Sequence, residues 1–185
     1  MSHPILMLLR KLSFLTISLF LLLACSDSKE SFFYLGKSFT SIPISEFSNN
    51  INFTLIKVPN EFLLKNEKDE QIISSLKNND VFIYEFLASD QTNILKTRTD
   101  LTYDKAVQHF SQNISQDFIA INEKGEEVVC EGVIHERTFN VRPQQRLILH
   151  FKRPNDSPIV RINYTDRLFN SGLITHQLLN KSIEL

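Results

Sequence analysis

Seven short runs of β-branched and aromatic residues, each bounded by turn formers, constrain what this chain can fold into more than any other feature. They cover residues 51–58 (INFTLIKV), 81–87 (VFIYEFL), 117–122 (DFIAIN), 127–135 (EVVCEGVIH), 146–151 (RLILHF), 159–164 (IVRINY) and 173–178 (LITHQL). Between the third and fourth runs, residues 123–125 (EKG) make a compact hairpin turn, with Gly125 able to adopt a left-handed backbone. Residues 154–158 (PNDSP) mark a second reversal. Each such strand has one face to bury, and two layers of them bury each other. The expected fold class is therefore mainly β with one or two helices, an α+β arrangement in a β-sandwich-like single domain.

Two stretches carry helical spacing instead. In residues 60–79 the apolar positions Phe62, Leu63, Ile72, Ile73 and Leu76 are interleaved with Glu and Lys. In residues 102–114 Ala106, Val107, Phe110 and Ile114 recur on one face, with Thr102 placed to cap the start and Asp104 to complement the helix dipole. Residues 31–48 have aromatics but no period, and Pro43 argues against one long strand there; the region could supply an edge strand, and the sequence leaves its structure open. Along residues 127–135, strict alternation puts Val128, Cys130, Gly132 and Ile134 on one face and Val129, Glu131, Val133 and His135 on the other.

The amino terminus follows different chemistry. Arg10 and Lys11 precede thirteen uncharged residues, 12–24 (LSFLTISLFLLLA). That is the flank and length of a signal-peptide core, and it falls short of the ~20 apolar residues needed to span a bilayer. Leu22, Leu23, Ala24 and Cys25 then resemble the lipobox of bacterial lipoproteins, with Leu23 standing where a small residue is usual. The resemblance implies cleavage before Cys25, diacylation of its thiol and acylation of the new amino terminus with a fatty acid such as palmitate. Two or more chains anchor a protein stably, so the membrane is the first expected partner, through Cys25. Ser26 follows the cysteine, and lipoproteins of this kind without Asp at that place usually travel to the outer membrane. The expected organisation is a signal peptide over residues 1–24, the lipidated cysteine and a polar tether over 25–31 (CSDSKES), and a globular domain over 32–185. Translation from Met1 or from Met7 yields the same mature chain.

Charge is split along the sequence. Residues 26–131 hold 10 Lys or Arg against 17 Asp or Glu, whereas residues 137–167 hold seven basic residues against Asp156 and Asp166. Arg137, Arg142, Arg146, Arg153, Arg161 and Arg167 form the candidate partner-binding patch, because guanidinium groups grip planar oxyanions bidentately. The competing reading is a set of ion pairs with the acidic half of the same domain. A mature chain with 18 basic and 21 acidic residues does not suggest a nucleic-acid binder.

Evidence for catalysis is thin. His109, His135, His150 and His176 share no ligand spacing, so no metal is expected, and no cofactor motif is present. The chain lacks a GxSxG elbow, an SxxK or HExxH motif and a glycine-rich phosphate loop. With Cys25 lipidated, Cys130 is the remaining thiol, expected inert on an apolar face rather than bridging a dimer. The expected function is a non-catalytic binding or scaffolding component of the bacterial cell envelope that engages envelope proteins. The alternatives are a carrier of a lipid or other apolar ligand, requiring a cavity between the layers, and an envelope enzyme gathering His150, His176 or Cys130 beside a carboxylate.

Overall fold

The computed structural model describes residues 29–34, 36–65, 69–136, 142–153 and 157–178, without the side chains of Ile72 and Ser75. The expected signal peptide over residues 1–24, Cys25 and Arg137 lie outside the described residues.

All seven expected strands form, at nearly the expected bounds, within one eight-stranded antiparallel sheet: β3 (Ile44–Ser48), β4 (Ile51–Val58), β5 (Asn79–Ala88), β6 (Phe118–Asn122), β7 (Glu127–Glu136), β8 (Gln145–Lys152), β9 (Ile159–Thr165) and β10 (Leu173–Gln177). Their order across the sheet is β10-β9-β6-β7-β8-β5-β4-β3. Residues 31–48 supply more than an edge strand. β1 (Glu30–Tyr34) and β2 (Lys37–Ser41) form a separate hairpin, and β3 follows Pro43 as the outermost strand of the large sheet.

The protein is a mainly β single domain, and its two packed layers are the two arms of one curled sheet. Tyr84 on β5 meets Phe118 on β6 at 4.9 Å between ring centroids and Tyr164 on β9 at 5.5 Å, while Phe53 on β4 lies 5.9 Å from Tyr164. The edge strands β3 and β10 approach each other across a seam. Side chains stitch this seam: Ser48 donates to the Ser171 carbonyl at 3.4 Å, and Asn49 donates to the Phe169 carbonyl.

The corner between the arms is β7. Its first residues pair with β6 through Val129↔Ile119, Val128↔Ala120 and Glu127↔Ile121, and its later ones pair with β8 from Cys130↔Phe151 onward. A register shift between Cys130 and Gly132 inserts Glu131 as an extra residue, which bends the strand and inverts its alternation. Val128 and Cys130 face inward as expected, but beyond the bulge Val133 packs on the core while Ile134 turns outward. The expected grouping of Ile134 with Val128 is corrected for that reason.

The curled sheet has two ends. At the lower one, where β4 ends and β5 begins, the expected helix over 60–79 appears as two shorter ones, Asn60–Leu64 and Glu70–Lys77. At the upper one, the helix Ile94–Thr97, capped by the Asn93 side chain on the Leu95 amide at 3.1 Å, was not expected. The helix predicted over 102–114 is α-helical only over Tyr103–Gln108; it widens into a π-turn over His109–Asn113 and tightens to a 3-10 turn over Ile114–Asp117. Thr102 occupies the cap position, yet its side chain makes no cap bond. Phe110 from the π-turn closes the upper end, its ring 5.2 Å from Phe86 and 6.2 Å from Phe169.

Candidate functional site

Charge inside this domain gathers around the carboxylates Asp80, Glu85 and Asp117, and Arg146, Arg153 and Arg167 of the candidate patch divide among them. On the outer face of β8, Arg146 reaches Glu85 on β5 at 3.5 Å and Glu136 on β7 at 3.3 Å, and donates to the Phe33 carbonyl of β1. Arg142 is close enough to act on the same carboxylate. Burial raises the pKa of Glu85 and Glu136 raises it further, while Arg146 and Arg142 draw it down.

At the lower end, Asp80 is fully buried between Lys57 at 3.2 Å and Arg153 at 3.4 Å. Arg153 also donates to the Lys77 carbonyl at 2.6 Å, which joins the end of β8 to the helix Glu70–Lys77. At the upper end, Asp117 is likewise buried and has both oxygens engaged, one with His109 Nε2 at 2.6 Å and the other with Arg167 Nε at 2.9 Å. This trio ties the π-turn to the loop between β9 and β10. Arg161 stands apart on β9, in register with Ile121 of β6 and Gln177 of β10, on the face opposite the buried Ile162 and Tyr164.

The structure thus brings Arg142 and Arg146 together around Glu85 and separates Arg153, Arg161 and Arg167. Arg146, Arg153 and Arg167 each pair with a carboxylate of residues 80–136. The Arg167 side chain is 60% exposed while its Nε is held by Asp117.

The upper-end trio escaped the sequence reading. In an uninterrupted α-helix, residues eight apart lie about 12 Å apart along the axis, too far for His109 to touch Asp117. Contact exists because the chain leaves α geometry after Gln108. No sequence spacing signals that departure. A buried aspartate holding a histidine and an arginine can fix the orientation of the imidazole and present a cation to solvent; with both carboxylate oxygens engaged it is a lock rather than a free base.

The other candidates lie separately. His176 is fully buried, hydrogen-bonded through Nε2 to the Tyr84 hydroxyl at 3.0 Å, and burial pushes its pKa down to about 4 against a smaller opposing pull from the backbone of Ile44. Burial also lowers the pKa of His150, on the outer side of β8. His135 meets Gln145 at 3.0 Å and the ring of Phe110 at 5.3 Å. Cys130 is half-buried against the core, its thiol pushed up to about 11 by burial and donating to the Gly132 carbonyl at 3.4 Å. Among the described residues, no group of three His, Cys, Asp or Glu side chains is arranged to hold a metal ion. Comparison with protein-family models, with curated proteins and with solved structures gives no match.

Proposed function

We propose that this chain is a lipid-anchored component of the bacterial cell envelope, held on the outer membrane through Cys25, whose folded domain binds or scaffolds envelope proteins rather than catalysing a reaction. The observation that carries this reading is the leader: a basic step, thirteen uncharged residues and Cys25, followed by the polar run Ser26 to Ser31. In keeping with it, β1 begins at Glu30, so folded structure starts immediately after the anchor.

The interior supports binding at the surface rather than carriage within. A carrier of apolar ligands needs space between the layers, and here that space holds Phe53, Tyr84, Phe86, Phe110, Phe118, Tyr164 and Phe169 in mutual ring contact. Of the side chains from which an enzyme would draw, His176 meets a tyrosine, Cys130 a backbone carbonyl, and His150 lies on the outer side of β8 with its pKa lowered by burial.

The test is mass spectrometry of the protein recovered from membranes beside a Cys25→Ala control, read for acyl mass and for copurifying proteins. Diacylglycerol on the wild type with a reproducible set of envelope proteins is the expected result. An unmodified Cys25 overturns the anchor, and a lipidated protein that comes down alone overturns the scaffolding role.

A further inference from the structure

Resting on the anchor reading above, we infer that the domain turns its lower end, the one carrying the helices Asn60–Leu64 and Glu70–Lys77, toward the phospholipid surface and holds its upper end away from it. The inference comes from reach. Five steps separate Cys25 from Glu30, the first residue of β1. Fully extended, they cover about 17 Å. β1 starts at the lower end, because Glu30 pairs with Ser41 and the Ser41 hydroxyl donates to the Lys57 carbonyl at 2.9 Å, one residue before β4 ends at Val58. β5 runs from that end to the other over ten residues, a length of about 33 Å. A tether half as long as the sheet is tall keeps the lower end within reach of the headgroups and excludes the inverted arrangement, in which the length of β5 would lie between Glu30 and the bilayer.

The chemistry at the lower end is mixed in charge. Lys77, Lys152 and Arg153 come together there: Asn79 pairs with Lys152, the Arg153 amide donates to the Asn78 carbonyl at 2.8 Å, and its guanidinium donates to the Lys77 carbonyl. Lys29 and Lys57 flank the start of the tether. Asp80, the carboxylate nearest this group, is buried and paired, while Glu30, Glu61, Asp69 and Glu70, with Glu123, Glu126 and Glu127 at the β6–β7 turn of the same end, are exposed and cancel the net attraction. Reach therefore sets the orientation, and the cations supply headgroup contacts within it. The Asp117–His109–Arg167 cluster at the upper end then faces away from the bilayer, where a partner protein can approach it.

The experiment uses full-length protein, processed and lipidated in cells, with Cys130→Ser as background and a fluorophore on either Lys77→Cys or Asp100→Cys. Each is bound to vesicles of phosphatidylethanolamine and phosphatidylglycerol carrying a headgroup quencher. We expect the label at 77 to be quenched at least threefold more strongly than the label at 100, with circular dichroism verifying that both variants fold. Equal quenching, or stronger quenching at 100, overturns the orientation while acyl mass on Cys25 leaves the anchor standing. Loss of acyl mass overturns the anchor and the orientation with it.

Discussion

The two arms of the curled sheet share one interior but differ on their outer faces. Beneath the β1–β2 hairpin and the helix Asn60–Leu64, the outer side chains Ile56, Val58, Val81, Ile83 and Ile148 form a second core with Tyr34, Phe39, Phe62 and Leu63. The other arm is uncovered among the described residues: Val129 is 73% and Leu173 63% exposed, with Ile119, Ile121, Arg161, Asn163 and Thr175 between them in register. The strands record the difference in their composition. On β5 the run Val81, Phe82, Ile83 and Tyr84 is buried without interruption, whereas β10 alternates, with Ile174 and His176 inside and Leu173, Thr175 and Gln177 outside. A strand covered on both sides reads as a continuous apolar run, and one covered on a single side reads as period two.

Substitutions that separate the two arms sharpen this comparison. The largest effect belongs to Phe86→Ala, since Phe86 touches Phe53, Tyr84, Phe110, Tyr164 and Phe169 from both arms. Denaturant titration is expected to give a loss of about 3–5 kcal/mol. A loss under 1 kcal/mol would mean that the arms do not share a packed interior.

Next comes pH, through His176 on the uncovered arm and its bond to Tyr84 on the covered one. Its folded pKa of about 4 lies below the ordinary 6.5, so the unfolded chain binds the proton more tightly. The resulting stabilisation is present above pH ~6.5 and is lost as pH falls toward about 4, by up to about 3 kcal/mol. His150, also lowered by burial, acts in the same direction. Stability measured between pH 7 and 4 should fall less steeply in His176→Gln than in the wild type; equal slopes would remove His176 from the account.

Phe39→Ala cuts the covering layer, losing its ring contacts with Phe32 and Phe62. A loss of about 2–3 kcal/mol is expected, at the lower margin for a buried Phe because the hairpin can settle onto the gap. Hydrogen exchange should accelerate in β1 and β2 before β5, and uniform acceleration would contradict a separable layer. Smallest is Leu173→Ser on the bare face, expected within about 0.5 kcal/mol in the same titration. A cost above 1.5 kcal/mol would show that something covers that face.

The strands were legible because their β-branched and aromatic runs are long and their bounding turns are chemically explicit, as at Asn122, whose side chain accepts from Lys124 at 3.0 Å and Glu126 at 2.9 Å around Gly125. The hairpin of β1 and β2 was not, since Phe32, Phe33 and Tyr34 run together without alternation and only packing decides that Phe32 and Tyr34 face in and Phe33 out. The bulge at Glu131 is signalled only by the adjacent Gly132, and strict alternation carried across it inverts the phase of β7 beyond. Ion pairing of the basic segment with the acidic one was open as an alternative in the sequence, but which arginine meets which carboxylate depends on strand order. The histidine at the upper end gained its partner from a break in helical geometry, which spacing arguments assume away.

The covering hairpin also has a mechanical consequence. On the anchor proposed above, its amino-terminal strand is where the tether would enter the fold, and among the described residues β1 is hydrogen-bonded as a strand to β2 alone, not to the large sheet. Tension along the tether would load Glu30↔Ser41 first and pass to the next pair only when that one opens, as a zipper does. The ribbon would peel before the large sheet and lengthen the leash, so tension would be absorbed before it reached the aromatic interior.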